Sequence, residues 1–302
     1  MLAANAPGGR PVLDAVNLTA LMDRTAGRPE VIVGLIDGSV AATHGDLATE
    51  NIQILSPASK RAPEQGNGLA LAHGTFVAGI LAARRGTAAP AICPGCTLVV
   101  RPIFLQSPIA NTDTPSASPQ ELADAVIDCV GAGARIVNLS LSLAAPSPNR
   151  EPKLAQALDH AAARGTLVVA AAGNQGTVGG SAITRHPWVI PVAACNLAGR
   201  PLALSNLSSS IARRGLMAPG DAVTSLGTNG QPFTSSGTSA ATPFVTGALA
   251  LLLSMFPEAS VAQAKSATTR ADMRRAAIVP PMLDAWSAYQ AMLQPCGSSS
   301  HA

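Results

Sequence analysis

Val31-Ile32-Val33-Gly34-Leu35-Ile36-Asp37-Gly38 decides the fold. The first six residues are apolar, mostly β-branched and uninterrupted by charge, the pattern of a strand buried on both faces. It runs straight into a carboxylate. Working outward, runs of the same kind recur at 97–103, 134–140, 166–171 and 188–194, so the first strand spans 31–36. Helical patterns fall between and after them, at 73–84, 119–132, 152–164, 239–255 and 259–270. This alternation predicts an α/β fold: a central, mostly parallel sheet with helices on both faces, in three layers. Ser118-Pro119-Gln120-Glu121 supplies an N-cap, a proline at the first helical position and an acid in the first turn. Leu13 to Met22 reads as a short helix, Leu283 to Leu293 as a last one, and 200–233 as antiparallel hairpins or loops. The expected organisation is a lead-in over 1–27, one catalytic-sized domain over 28–294 and a flexible tail over 295–302.

Asp37 closes a parallel strand, where open α/β sheets place their sites. Two further segments carry compatible chemistry. Ala72-His73-Gly74-Thr75 opens an apolar helix, and Gly237-Thr238-Ser239-Ala240-Ala241-Thr242-Pro243 precedes a long apolar stretch from Phe244 to Phe256. The second arrangement sets a serine at a helix N-terminus, where free N–H groups and the helix dipole favour negative charge. A serine hydroxyl needs a neighbouring base to become a nucleophile, and a base needs a group to orient it. Taken singly, Ser239 reads as a turn or cap residue, His73 as a packed helix histidine and Asp37 as a strand-end cap. An α/β-hydrolase elbow does not fit, because Ala241 replaces its second glycine and the order Asp37, His73, Ser239 is wrong for it. Of the remaining histidines, His44 in Thr43-His44-Gly45-Asp46 is the rival base.

With Ala171-Ala172-Gly173-Asn174 after the strand at 166–171, four segments stand in the order of one family. The chain resembles the subtilisin-like serine peptidases, or subtilases, over roughly residues 28–270. The resemblance implies a subtilisin-like three-layer fold and an Asp37–His73–Ser239 triad. It makes Asn174 a donor to the oxyanion, with the Ser239 N–H, and His44 a packing residue. It implies a peptide substrate held by β-addition along Ser140, Leu141 and Ser142, with a second edge near Phe104 to Ser107. Ala171, Ala172 and Gly173 become part of the primary specificity pocket. Two departures stand out: Gly38 follows the acid directly, with Ser39 where glycine is usual, and Ser142 replaces a common glycine. The loop after the histidine helix often holds calcium in the family. Here Ala83-Arg84-Arg85-Gly86-Thr87-Ala88-Ala89-Pro90 offers no carboxylate or amide, so no ion is expected there. No other cofactor is expected.

Within the family the chain looks closest to the cyanobactin maturation proteases, cytoplasmic enzymes that cut leader or follower segments from ribosomal precursor peptides. The short stretch between Asp37 and His73 leaves little room for the helical insert of macrocyclase relatives, which favours hydrolysis over transamidation. The alternative is a subtilase-shaped module that binds peptides without cutting them. Composition bounds the rest. Charged residues make up 12% of the 302-residue chain, hydrophobic ones 47%, and the net charge is +3, which predicts a large core and no nucleic-acid partner. Gly247 to Phe256, the longest apolar tract, reads as too short for a membrane span, and no signal segment is evident, which leaves an enzyme acting inside the cell or the trimmed form of a secreted one. Five cysteines fit a reducing, cytoplasmic setting better than a disulfide framework. Cys93-Pro94-Gly95-Cys96 reads as a tight turn with two thiols, or as a local disulfide; a zinc knuckle lacks its second pair. The oligomeric state stays open.

Overall fold

The computed structural model describes residues 9–55, 68–104, 117–143, 151–269 and 278–294. Two short helices, α1 (Arg10–Asp14) and α2 (Thr19–Met22), lead into β1 (Ile32–Asp37) and β2 (Ile52–Ile54). Then come α3 (Leu69–Ala82), β3 (Thr97–Pro102), α4 (Pro119–Gly131), β4 (Ile136–Leu139), α5 (Pro152–Ala163) and β5 (Leu167–Ala171). The chain continues through α6 (Ala182–Arg185), β6 (Val189–Cys195), α7 (Ser209–Arg214), β7 (Leu216–Pro219), β8 (Val223–Leu226) and β9 (Pro232–Ser235). It finishes with α8 (Thr238–Met255), α9 (Val261–Thr269) and α10 (Ala285–Leu293).

Seven strands form one sheet in the order β2-β3-β1-β4-β5-β6-β7, every pair parallel, while β8 and β9 make a separate antiparallel hairpin. The chain places β2 at one edge and inserts β3 between it and β1, then crosses to add β4 on the other side of β1. Asp37 therefore ends the strand at which the winding reverses, the place where such sheets open a crevice. Successive residues of β1 face opposite layers. Leu35 joins a core with Phe76 and Ile80 of α3 and Phe244 and Leu249 of α8, whereas Ile36 joins a second core with Leu122 and Val126 of α4 and Leu158 of α5. The α/β three-layer arrangement is thus the one the alternation predicts.

The differences from the expected elements have local causes. The helix expected at 73–84 begins four residues earlier, at Leu69, so His73 sits in its second turn. The helix expected over 13–22 is two helices, broken at Asn17 with φ 54°. Within 200–233 the hairpin is present, but so are α7 and the parallel strand β7, whose four residues are too few to show a period. Strand β2 was also missed; two of its three residues are exposed, so it has no apolar run. Ser118 forms the full capping box with Glu121. Residues 1–8, the tail 295–302 and the substrate edge expected at 105–107 lie outside the described residues.

One expectation is corrected. The apolar tract near the C-terminus is longer than Gly247 to Phe256: α8 runs 18 residues at a mean hydropathy of 1.4, enough by length and composition to cross a bilayer. Its first half is mostly Thr, Ser and Ala around Pro243, Phe244 and Val245, which lengthens the helix without reading as one apolar tract. In the folded protein 89% of that window is buried, and α8 is the central core helix packed across the sheet.

Candidate active site

Asp37 is fully buried at the end of β1. Its Oδ1 accepts two short bonds, from the Gly38 N–H at 2.7 Å and from His73 Nδ1 at 2.7 Å. A carboxylate only accepts, so Nδ1 carries the proton and Nε2 of a neutral His73 presents a lone pair. Asp37 Oδ2 is buried with no partner. The acid is therefore held mainly by the imidazole and one backbone amide. Burial pulls the His73 pKa down, but the Asp37 charge and its hydrogen bond outweigh this, and the net shift is upward from 6.5.

The glycine that departs from the family pattern has a steric reason. A β-carbon at Gly38 would run into the Ala70 carbonyl of α3, and one at Gly74 would strike the carbonyls of Gly38 and Ser39. Two glycines thus let α3 lie directly on the turn after Asp37, which brings His73 within bonding distance of the acid.

Ser239 occupies the second position of α8, where its N–H has no intrahelical acceptor. Pro243 lies four residues on and cannot donate back to the Ser239 carbonyl. The Ser140 hydroxyl donates to that carbonyl instead, at 2.9 Å. Ser140 Oγ in turn accepts from Asn138 Nδ2 at 2.9 Å, and Asn138 Oδ1 accepts from the Thr246 hydroxyl at 2.8 Å. This buried chain fixes the nucleophile turn to β4. The hairpin leading into Ser239 is also tied to the helix bearing His73: Ser225 Oγ donates to the Phe76 carbonyl at 2.8 Å, and Phe233 meets Phe76 edge-on.

Asn174 Oδ1 accepts from both the N–H and the hydroxyl of Thr238, each at 2.9 Å. With its oxygen tied down, its Nδ2 is the free end, beside the Ser239 turn. The loop that carries Asn174 is held by fully buried Asn206, whose Oδ1 accepts from the Gln175 and Thr177 amides at 3.1 Å and whose Nδ2 donates to the Ala172 carbonyl at 3.2 Å.

A cleft of about 620 Å³ collects His73, Ser140, Leu141, Ser142, Ala171, Asn174 and Ser239 on its walls. Ala172 and Gly173 do not line it. Alternation along the strand turns Ala172 the other way, into a small core with Ala193 and Ile211, and the Gly173 N–H donates to Thr238 Oγ1 at 3.2 Å. They support the cleft rather than form it. Sequence reasoning missed Thr238, Asn206, Leu69 and Phe233. Thr238 stood inside the quoted motif; the other three carry no local signal. Among the described residues no hydrogen bond joins Ser239 Oγ to His73 Nε2. Such bonds are often long in free enzymes and tighten with substrate. His44, the rival base, accepts from the Asp46 N–H through Nδ1 and buries Nε2 away from any partner, outside the cleft.

Comparison with known proteins agrees with this arrangement. Residues 28–289 match the subtilase family, peptidase S8. Subtilisin DY of Bacillus licheniformis is 32% identical over 269 residues, covering 87% of this chain and 90% of that protein. The protease domain of PatA, solved as a serine-to-alanine mutant, superposes with a TM-score of 0.79 at 27% identity, over 87% of this chain and 95% of that one. The prenylagaramide maturation protease PagA superposes at 0.78 with 25% identity, over 95% and 99%. A cleft at the reversal point of a parallel sheet, a buried Asp–His pair and a match across most of the length lead to one conclusion: this chain belongs to the subtilase family and is a subtilisin-like serine endopeptidase.

Proposed function

We propose that the enzyme cuts internal peptide bonds through an acyl-enzyme formed on Ser239, and that its natural substrate is a precursor peptide. The observation that carries the chemistry is the 2.7 Å bond from His73 to buried Asp37 on one wall of the cleft that holds Ser239. Nε2 takes the Ser239 proton as Oγ attacks the substrate carbonyl carbon. The resulting oxyanion accepts from Asn174 Nδ2 and the Ser239 N–H. His73 then gives its proton to the leaving amine, and water enters by the same steps in reverse to free the new carboxylate. Asp37 stays ionised and stabilises the imidazolium. The substrate backbone pairs with the edge at Ser140–Ser142, and Ala171 leaves room for a side chain.

The precursor-peptide reading draws on the solved relatives, which are titled patellamide and prenylagaramide maturation proteases. A reducing, cytoplasmic setting suits it, since Cys93, Cys96, Cys129 and Cys195 are free, buried thiols. Mass spectrometry of an unstructured peptide library digested in H₂¹⁸O tests the reading. Internal cuts with label in each new carboxylate are expected. Intact peptides bound by a folded enzyme would point to the peptide-binding module instead.

Asn174→Ala should lower kcat by about 10²–10³ with KM little changed, the size an oxyanion donor is worth in subtilisin; an equal rise in KM would mean that the amide only binds substrate. In the pH profile of kcat/KM, activity requires neutral His73. Because the Asp37 charge and bond lift its pKa, the acid limb should have its midpoint above 6.5. A midpoint below 6.5 would contradict the pairing.

A further inference from the structure

The loop after α3 is where subtilases often hold calcium, and its residues do not fit that ion. Arg84 points outward and pairs with Glu50 at 3.1 Å. Arg85 turns inward. Its Nη1 donates to the Met22 carbonyl at 2.6 Å, and its Nη2 donates to the carbonyls of Thr25 at 2.7 Å and Ile92 at 3.2 Å. Three backbone oxygens from two separate segments of the chain converge on one positive group. Calcium takes six to eight oxygens, including carboxylates that balance its charge. Here the direct partners are three neutral carbonyls, with the Asp23 carboxylate acting only through its charge, and a guanidinium fills the space between the carbonyls.

We propose that Arg85 is a covalently attached replacement for a structural cation, one that makes the fold independent of calcium at this position. The three carbonyls mark what it joins. Met22 ends α2 and is buried in the main core with Leu21; Thr25 lies in the turn that follows. Ile92 lies on the return path of the loop, and its N–H bonds the Ile80 carbonyl at 2.9 Å while the Cys93 N–H bonds that of Leu81 at 2.8 Å. The guanidinium therefore clamps the segment before β1 to the C-terminal end of the helix that carries His73. It also places positive charge where the helix dipole is negative. Bonds from a charged donor are stronger than neutral ones, and the planar fork serves three acceptors from its two terminal nitrogens without needing added ligands. One cost is visible: Arg85 Nε is buried without an acceptor.

The test is thermal unfolding in a Ser239→Ala background, which prevents self-digestion, with EDTA and with added CaCl₂. The parent should melt at the same temperature, within about 1 °C, in both. Arg85→Met keeps the stem and loses the donors; its Tm should fall by about 5–10 °C with EDTA making no further difference. Amide exchange should speed up over 19–27 and 84–93 and stay unchanged in the 223–235 hairpin. Should Arg85→Met fail to fold, Arg85→Lys is expected to fold and melt below the parent, because it keeps the charge and loses the fork. A parent destabilised by EDTA and restored by calcium would overturn the proposal, as would an Arg85→Met or Arg85→Lys variant that melts with the parent. In the enzyme with Ser239 intact, peptide cleavage should proceed at the same rate with and without chelator.

Discussion

Ser239→Ala is expected to lower kcat by about 10⁶, and His73→Ala by a comparable factor, with the double variant no slower than either. The scale is that of a nucleophile and base lost as a unit in subtilisin. The reason for non-additivity is mechanical. Without the hydroxyl there is no proton for Nε2 to take; without the imidazole the hydroxyl remains a poor nucleophile at neutral pH. Whatever rate survives comes from substrate binding and the oxyanion donors, which both variants keep. Folding should be nearly unaffected by Ser239→Ala, because the hydroxyl has no hydrogen-bond partner among the described residues and its removal orphans nothing. The turn itself is held by the Ser239 carbonyl, through Ser140. Steady-state kinetics with a melting curve check both halves. Losses that multiply in the double variant would mean that the two residues act separately.

Asp37→Asn is expected to lower kcat by about 10⁴ while leaving Tm unchanged or raising it. The activity loss follows from the tautomer. An asparagine amide placed toward His73 presents N–H where the carboxylate presented a lone pair, so Nδ1 must accept and the proton moves to Nε2. Nε2 then faces Ser239 as a donor and cannot take its proton. The charge that stabilises the imidazolium is lost as well. Of the influences on the His73 pKa, only burial remains, so the acid limb should move to lower pH than in the parent. The stability expectation has the opposite sign for the same reason. Asp37 is fully buried and its Oδ2 has no partner, so the ionised acid is costly to bury. Removing that charge relieves the cost and offsets the Gly38 N–H bond, which is lost when the amide nitrogen takes the place of Oδ1. Activity falling with Tm held or raised separates a functional group from a packing group. A strongly lowered Tm would assign Asp37 a structural role.

Much of this was legible in the chain because the decisive features are local. The β1 pattern and its terminal Asp37 could be read from eight consecutive residues. The Gly237–Pro243 run announces a helix tip, and Ser118-Pro119-Gln120-Glu121 announces a helix start. Around Ala171 the pattern is local too: alternation puts Ala171 on the cleft and turns Ala172 away, while Gly173 spends its N–H on Thr238. What stayed hidden depends on contacts between distant segments. Asn206 holds the Asn174 loop from far along the chain, and nothing around it distinguishes it from a surface turn. Gly38 looked like a departure from a motif; the Ala70 carbonyl lying over it explains why no side chain fits. Arg85 read as one of two loop arginines, and only the convergence of Met22, Thr25 and Ile92 carbonyls sets it apart from Arg84. The short strands β2 and β7 carry too few residues to show a period.

The chemistry proposed for the cleft rests on Ser239 as a reactive nucleophile driven by His73. Labelling the folded enzyme with a fluorophosphonate probe, then locating the adduct by mass spectrometry of a digest, measures that reactivity directly. A single phosphonylated serine is expected, at position 239, absent in Ser239→Ala and strongly slowed in His73→Ala. A folded parent that takes no label, or takes it on another residue, would contradict it.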